Sequence, residues 1–385
     1  MAASSPLAEL HRAAGVGLEA HFGVLLPTQF DDLVAEHRLA RESAALIDTN
    51  FRAVLSLTGQ DRVRYLNAVM TSNVRDLAPG QGNVGLLLNA QGHILAELET
   101  LALENQLILL GHEMVREQTA ATLDKFIIMD DATLTDETAE TGTLAIEGPE
   151  TPAIVRELTG VDVLALPVRG HVAATLKVAG VVIPCRVIHH SLFGFPGAEF
   201  LVGRDALIAL WPALAAAVRA HGGAPIGYRA LNALRLEAGI AWFGSDFDQR
   251  QIPQEAAIEA THISFTKGCY TGQEIVERVR SRGHVNRRLA GMRFGSAAPP
   301  EPDTKLLARG GEGSGAEVGN VTSAAFSPLL GRPIGLGYVR REHSALGTIL
   351  QCGETTAEMI ELPLPGALPT ALPPVPVSAT PPALT

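Results

Sequence analysis

The residue types best suited to chemistry lie close together at residues 267–274, which read Lys-Gly-Cys-Tyr-Thr-Gly-Gln-Glu. The reactive form of cysteine is the thiolate, which a neighbouring cation and the positive end of a helix both stabilise. Lys267 supplies such a cation beside Cys269. The segment therefore predicts a reactive thiol. The alternative is a loop-to-helix junction in which Cys269 is only buried filler.

Two secondary-structure elements must position that thiol. Residues 263–265 have the apolar character of a short strand, and residues 274–280 have the pattern of a helix. Thr271 and Glu274 have the spacing of a capping box, in which each side chain accepts a hydrogen bond from the backbone amide of the other residue. We therefore expect a helix to begin directly after Cys269.

Composition excludes several classes of protein. At 385 residues the chain is long enough for two or three domains, and its net charge of −11 argues against strong nucleic-acid binding. Its longest apolar run, residues 206–218, is too short to span a bilayer. Residues 1–10 lack the basic segment followed by an apolar stretch that marks a secretory signal. We therefore expect a cytoplasmic protein with no membrane association.

The cysteines and histidines do not predict a metal site. The three cysteines are far apart in sequence, so they form neither a disulfide framework nor a self-sufficient ligand set. His189 and His190 are adjacent, but no third ligand lies near them in sequence. We expect no bound metal.

The order of elements divides the chain into four parts. Residues 1–26 are interpreted as a loosely held leader, and residues 27–286 as an α+β region in which clusters of strands alternate with helices. Short strands separated by glycine and proline predict a small β-barrel over residues 287–362. Residues 363–385 are rich in proline and uncharged, which is typical of a disordered tail.

A run of basic residues follows the predicted helix. It is interpreted first as a solvated helix end whose cations complement the helix dipole. The alternative is a surface for a polyanion, either an RNA backbone or a long substrate that carries carboxylates. The run consists of Arg278, Arg280, Arg282, His284, Arg287 and Arg288.

The motif at residues 267–274 resembles the signature of YgfZ-type folate-binding proteins, which belong to the superfamily of the glycine-cleavage T-protein. The resemblance extends over roughly residues 27–360. It includes Leu234-Arg-Leu-Glu-Ala-Gly-Ile240, Leu88-Asn-Ala-Gln-Gly92 and Ile334-Gly-Leu-Gly-Tyr-Val339. It implies a three-part aminomethyltransferase-like fold around a tetrahydrofolate site, with two intertwined subdomains before a C-terminal β-barrel.

The resemblance also implies which side chains are functional. Cys269 and Lys267 would be the functional thiol and its cation. The residues expected to contact tetrahydrofolate are Glu199, Arg235, Glu237, Tyr270 and Gln273.

Two departures from the T-protein pattern argue against aminomethyl transfer. The position of the T-protein's first catalytic acid reads Ala96, and the adjacent Glu97 points to the opposite face of a strand. Gly194-Phe-Pro-Gly197 stands where the T-protein has Gly-Glu-Asp-Gly. General acid–base catalysis needs a carboxyl group within hydrogen-bond reach of its proton.

Three functions follow from this resemblance. The first is a tetrahydrofolate-binding accessory protein of iron–sulfur cluster assembly or repair, whose partners are assembly proteins or cluster-containing client enzymes. One cysteine cannot hold a cluster alone, because clusters usually have about four ligands. The second is a tetrahydrofolate-dependent aminomethyl or one-carbon transferase with a different general base. The third is a factor that affects tRNA modification.

Overall fold

The computed structural model describes residues 2–310 and 315–369. By contact density the chain divides into two compact units. The first unit comprises residues 1–87, 96–231 and 264–271, and the second comprises residues 88–95, 232–263 and 272–385. The predicted α+β architecture is confirmed.

Helices are distributed along the whole described chain. The α-helices are α1 (Ala8–Ala13), α2 (Leu33–Glu42), α3 (Arg62–Val69), α4 (Arg116–Phe126), α5 (Thr151–Thr159), α6 (Leu207–Ala220), α7 (Tyr228–Glu237), α8 (Glu259–His262) and α9 (Gln273–Arg282). Short 3₁₀ helices lie at Glu113–Val115, Val163–Ala165, Arg204–Ala206 and Arg341–His343. Within the described residues no helix is both long enough and apolar enough to cross a membrane.

Strands form separate sheets rather than one continuous layer. Those before the barrel are β1 (Ala3–Ser4), β2 (Leu18–His21), β3 (Val24–Pro27), β4 (Ala45–Asp48), β5 (Arg52–Thr58), β6 (Gly82–Leu88), β7 (Ile94–Ala102), β8 (Leu107–His112), β9 (Thr133–Asp136), β10 (Thr141–Glu147), β11 (His171–Val178), β12 (Val181–His189), β13 (Gly197–Gly203) and β14 (Ala224–Pro225). Those of the barrel are β15 (Arg287–Phe294), β16 (Lys305–Leu307), β17 (Glu317–Ser327), β18 (Arg332–Arg340), β19 (Ile349–Cys352) and β20 (Thr355–Ile360).

Two larger sheets organise the first unit. One has the order β11-β12-β13-β10-β4-β14, and the other has the order β6-β7-β8-β5-β9. Apolar side chains from both sheets share one buried cluster, which includes Val54, Leu110 and Ile188. Burial of apolar surface therefore holds the two sheets together. It also brings the charged side chains of β5, β7 and β13 into contact.

The N-terminal residues are not a loosely held leader, so that prediction is wrong. His11 and Leu7 are fully buried in α1 and the turn before it. His11 Nε2 lies 3.0 Å from Asp48 Oδ2, and the Ser5 hydroxyl donates to the same oxygen over 2.9 Å. The segment is held by an acid 37 to 43 residues further along the chain, which local composition does not reveal.

The second unit contains the predicted C-terminal barrel, which is confirmed as a closed sheet of order β15-β18-β17-β16-β19-β20. Its interior is filled by Met292, Phe294, Leu350 and Met359, among others.

The start of the predicted tail does not follow its prediction. Leu364 and Ala367 are buried, and the Leu364 amide donates to the Glu237 carbonyl over 2.8 Å. Residues 363–369 are therefore packed rather than disordered. The rest of the predicted tail, residues 370–385, lies outside the described residues.

Candidate functional site

Five ionisable side chains meet in the interior of the first unit. Arg52 is the first residue of β5, Glu99 lies on β7, and Glu199 lies on β13. His190 directly follows β12, and Arg169 precedes β11. Strand pairing places them together, because β5 and β7 both flank β8 while β13 belongs to the facing sheet. We refer to these five residues as the Arg52 cluster.

Arg52 is the centre of this cluster. Its Nε and Nη2 donate to the two carboxylate oxygens of Glu199 over 3.1 and 2.9 Å. Nη2 also donates to Glu99 Oε1 over 2.9 Å and lies 3.2 Å from His190 Nε2. Nη2 carries two hydrogens, which the bonds to Glu199 and Glu99 use, so His190 Nε2 is an additional close neighbour of the guanidinium. His190 Nδ1 lies 3.3 Å from Glu99 Oε2.

Opposite charges keep the cluster ionised although it is buried. Burial disfavours the charged form of Glu99, but His190, Arg52 and Arg169 outweigh that penalty and hold the pKa of Glu99 well below its ordinary value. For Arg52, burial is likewise outweighed by Glu199 and Glu99, so the pKa of the guanidinium is raised. Two guanidinium groups thus face two carboxylates, which balances the charge.

The pairing of charges in the Arg52 cluster bears on the predicted contact between Glu199 and tetrahydrofolate. The residue is fully buried, and both of its carboxylate oxygens accept from Arg52. Glu199 on β13 thus joins the two sheets through its bonds with Arg52 on β5. The proposed contact with folate stays a prediction, and this geometry does not favour it.

A second acid–histidine pair lies next to the Arg52 cluster. Glu97 is two residues before Glu99 on β7, so the two side chains share one face of the sheet. Its Oε2 lies 3.2 Å from Nε2 of His112, the last residue of β8. The Glu97 side chain is 21% exposed, whereas that of Glu99 is 7% exposed. Glu97 is therefore the more accessible carboxylate on this face.

Ala96 occupies the other face of the same strand. It is fully buried and carries no ionisable group. The alternation expected from the sequence is thus present, with Glu97 beside His112 and residue 96 on the opposite side. The acid position of the T-protein pattern thus carries no ionisable group here, while the adjacent position carries a carboxyl group paired with an imidazole.

Aromatic rings surround His112. The Phe51 ring stacks on His112 with centroids 5.5 Å apart, and the Phe22 ring lies 5.3 Å from it. The Tyr228 ring centroid lies 6.2 Å from that of Phe22 and 6.4 Å from that of Phe51. The Tyr228 hydroxyl donates a hydrogen bond to the Asp48 carbonyl. These flat apolar surfaces orient the imidazole of the Glu97–His112 pair.

Lys267 directs its N–H donors at backbone carbonyls, so its predicted support of the Cys269 thiolate stays a prediction that this geometry does not favour. The buried Lys267 ammonium donates to the carbonyls of Asn67, Met70 and Ser72, the last two over 2.5 and 2.9 Å. An ammonium has three N–H donors, and all three are used. Burial lowers the pKa of Lys267 to about 8. The lysine therefore satisfies the carbonyls at the end of α3, where helices leave carbonyls unpaired.

Cys269 is exposed, which contradicts the interpretation of this residue as buried filler. Its role as a reactive thiol stays a prediction. The neighbouring Tyr270 is buried, and its ring centroid lies 5.4 Å from the Lys267 ammonium.

The helix predicted after Cys269 is present as α9, but the capping box is not. The N-cap is Gly272 with φ of 82°, and it makes no side-chain capping bond. Glu274 pairs instead with Arg278 over 2.8 Å. Gln273 is the half-buried first residue of the helix. Gly272 rather than Thr271 is the N-cap because the left-handed conformation at this position favours a residue without Cβ.

The segment before Cys269 is not a strand either. The Ser264 amide donates to the Thr71 carbonyl over 2.9 Å, but residues 263–265 belong to none of the sheets.

Arg235 and Glu237 lie in the second unit and serve its internal packing. The fully buried Arg235 pairs with Asp246, donates to the Ile240 carbonyl over 2.9 Å, and stacks on Trp242 at 4.5 Å. Glu237 accepts from the Ser327 hydroxyl over 2.5 Å. Their predicted contacts with folate are therefore not favoured by the geometry.

The two adjacent histidines have different partners. His189 Nδ1 lies 2.8 Å from the Leu166 carbonyl, while His190 belongs to the Arg52 cluster. Among residues 2–310 and 315–369 no group of three or more histidine, cysteine, aspartate or glutamate residues could hold a metal ion.

Sequence reasoning missed most of the Arg52 cluster, and it missed His112. The available signal was weak but real. Glu97 and Glu99 alternate within a largely apolar strand, and Arg52 opens another strand. Charged residues are rarely buried unless they are paired, so such positions indicate partners elsewhere in the chain.

Comparison with known families agrees with this architecture. Residues 7–267 match the GCVT N-terminal domain, and residues 287–363 match the glycine cleavage T-protein C-terminal barrel domain. A solved structure of glycine cleavage system aminomethyltransferase T from Bartonella henselae superposes with a TM-score of 0.83. That superposition covers 96% of this chain and 99% of the other at 23% sequence identity, which shows the fold.

Curated relatives carry the name aminomethyltransferase. The protein from Rubrobacter xylanophilus is 31% identical over 342 residues, which is 88% of this chain and 87% of the relative. The protein from Streptomyces coelicolor is 30% identical over 344 residues, which is 88% of this chain and 89% of the relative. The resemblance to the T-protein superfamily and its fold is confirmed, whereas these matches do not name the narrower YgfZ type.

Proposed function

The chain belongs to the glycine cleavage T-protein family, and on that premise we propose that it is a tetrahydrofolate-dependent aminomethyl or one-carbon transferase. Its acid–base group would be Glu97, held by His112, in place of the acid that position 96 lacks. The observation that supports this proposal is the position of Glu97. It is a partly exposed carboxylate, paired with an imidazole 3.2 Å away and adjacent in sequence to the missing acid.

The reaction needs one proton to move. A nitrogen of the acceptor forms a bond to the transferred carbon and loses its proton, while the bond from that carbon to the donor breaks. The leaving group takes up a proton. A carboxylate hydrogen-bonded to histidine can accept the first proton and return it, which typically contributes about 10²- to 10⁴-fold to the rate. Glu97 has this arrangement, whereas the buried Glu99 and Glu199 are neutralised by Arg52.

A reduced folate needs polar contacts, and Glu97 is a partly exposed carboxylate that can supply one. Tetrahydrofolate, when bound, supplies the amine nitrogens that accept the one-carbon unit. Pterin-like rings are held by a few polar groups against apolar, aromatic surfaces. Glu97 offers a partly exposed carboxylate, and the buried His112, Phe51 and Phe22 support it from behind.

Turnover measurements test the proposal. The protein is incubated with tetrahydrofolate and aminomethyl donors, and formation of the one-carbon folate is followed. Glu97→Gln should lower kcat about 100-fold or more, because it removes the proton acceptor but keeps the size of the side chain. Glu104→Gln, at an exposed carboxylate of the same unit, is the matched control and should leave kcat unchanged. If the Glu97→Gln variant kept the wild-type kcat, Glu97 would not be the acid–base group.

A second function is retained because of two observations. Position 96 has no acid, and Cys269 is exposed. Both suit a YgfZ-type accessory protein of iron–sulfur cluster assembly that binds folate without transferring aminomethyl groups, with cluster proteins as partners.

Complementation distinguishes this second function from the first. In cells that lack the corresponding protein, activity of a cluster-dependent enzyme should recover with the intact chain and fail with Cys269→Ala. Glu97→Gln should still complement in that case. Full rescue by Cys269→Ala would remove the thiol from the mechanism.

A further inference from the structure

The basic run identified in the sequence does not form one surface in the fold. Arg278 and Arg280 pair with glutamates three or four residues away on α9. Arg287 and Arg288 are adjacent on β15, so their side chains point to opposite faces of that strand. The surroundings of Arg287 are therefore set by the residues on its own face.

Arg287 lines a cavity of about 750 Å³ that lies within the second unit and is open to solvent. This volume is in the range of small-molecule sites, which are usually about 300–1,000 Å³. The segment before β15 meets the end of β18 here, where the Arg341 amide donates to the Asn286 carbonyl over 3.0 Å. The ionisable lining residues are Glu255, His284, Arg287, Arg340, Arg341 and Glu342.

The strand register places two arginines side by side. Arg287 on β15 is directly opposite Arg340 on β18, so the two side chains share one face of the sheet. Like charges in such a pair are destabilising unless other groups compensate them. The Arg287 Nε donates to Glu255 Oε1 over 3.0 Å, and its guanidinium lies 5.2 Å from the ring centroid of Tyr338. The Arg340 side chain is exposed and makes no hydrogen bond or ion pair with the described residues.

The charges that line the cavity do not cancel. Three arginines and two glutamates line it, so the lining carries one net positive charge when the histidine is neutral. The Arg287–Glu255 ion pair is neutral as a whole. The surplus therefore belongs to Arg340 and Arg341, which are accompanied by one acid, Glu342. These three exposed side chains make no ion pair within the part of the chain that the structure describes.

Charges just outside the cavity leave this surplus unchanged. The Arg250 carbonyl accepts from Arg287 over 3.4 Å, but the Arg250 side chain is paired with Asp248 over 2.8 Å. Arg288 lines a different cavity. The attraction of an anion thus depends on the two unpaired arginines.

The positions of the donors favour a phosphate group as the ligand. Arg340 ends β18, Arg341 begins the following 3₁₀ helix, and His284 lies on the segment before β15. Tetrahedral phosphate oxygens can be reached from several directions, whereas a planar carboxylate matches the fork of one guanidinium. One surplus charge in a chain of net charge −11 does not favour the RNA backbone considered for the basic run.

We propose that this cavity binds a small phosphate-bearing molecule, whose phosphate is held by Arg340 and Arg341. Guanidinium groups form charge-assisted hydrogen bonds with phosphate oxygens. The bound anion would also relieve the repulsion between Arg287 and Arg340. This binding is independent of the transfer reaction proposed above, because none of the residues of that reaction lines the cavity.

Calorimetric titration of the full chain at low salt, with inorganic phosphate and with acetate, tests the proposal. We expect saturable binding of phosphate and about tenfold weaker binding of acetate. The phosphate affinity should fall as NaCl is added, because salt screens exposed charges. Absence of saturable phosphate binding, or acetate binding of equal affinity, would overturn the proposal.

Variants locate the binding. Arg340→Gln should weaken it about tenfold, because one charge-assisted hydrogen bond is lost. Glu342→Gln should strengthen it about two- to fivefold, because it removes the acid that repels the anion. Arg332→Gln, at an exposed arginine that begins β18, is the matched control and should not change it. Thermal unfolding verifies that each variant is folded. Phosphate binding that Arg340→Gln leaves unchanged, or that Glu342→Gln weakens, would also overturn the proposal.

Discussion

Two buried arginines, one in each unit, are stabilised in different ways. Arg52 faces two carboxylates, Glu99 and Glu199, and the side chain is 5% exposed. Arg235 faces one carboxylate, Asp246, and its side chain is 1% exposed. Both side chains are buried, but only Arg52 pairs with two carboxylates.

The pKa of each guanidinium reflects this difference. For Arg235, burial dominates the attraction of Asp246 and lowers its pKa. For Arg52, the two carboxylates outweigh burial and raise its pKa. An arginine with two carboxylate partners does not depend on either one alone, whereas one with a single partner depends on that partner for its burial. Arg52 thus joins strands of two sheets, and Arg235 holds α7 within its unit.

The largest effect is expected where the compensation is weakest. Asp246→Ala leaves Arg235 buried without a counter-charge and also removes the acceptor of the Thr322 and Ser323 hydroxyls. The free energy of unfolding should fall by about 3–5 kcal/mol. Urea unfolding measures this loss. Glu301→Ala, at an exposed acid of the same unit, should change it by less than about 0.5 kcal/mol.

A smaller loss is expected at the Arg52 cluster. Glu99→Gln keeps the shape of the side chain, and Arg52 retains its two bonds to Glu199. The free energy of unfolding should fall by about 1–3 kcal/mol, as expected for a hydrogen bond to a charged group. If Glu99→Gln proved more damaging than Asp246→Ala under the same urea conditions, the contrast between the two arginines would be wrong.

The smallest effect is a dependence on pH. The folded protein holds the pKa of Glu99 well below the ordinary value of 4.5. The contribution of Glu99 to stability is therefore complete above pH 4.5 and is lost as the pH falls from there through the folded pKa. Wild-type protein should lose more stability than Glu99→Gln between pH 6 and pH 3. Parallel losses in urea titrations at each pH would show that Glu99 is not perturbed.

Local pattern was informative wherever the cause was local. The helix after Cys269 was expected over residues 274–280 and is found at Gln273–Arg282, because its residues repeat with helical period. The barrel was expected from residue 287, where β15 begins, because glycine and proline separate its strands. The predicted capping box is absent, because Gly272 in the left-handed conformation is the N-cap and no side chain caps the helix.

The chain by itself determined the α+β order, the barrel, and the motif that led to the T-protein superfamily. It also determined that position 96 has no acid. Only the tertiary structure decided what the charged residues do. Arg52 finds its partners 47 to 147 residues later, and Lys267 finds its carbonyls 195 to 200 residues earlier. Such partners are set by strand pairing and register across the chain, so the spacing around Lys267 could not reveal that its ammonium donates to the carbonyls of Asn67, Met70 and Ser72.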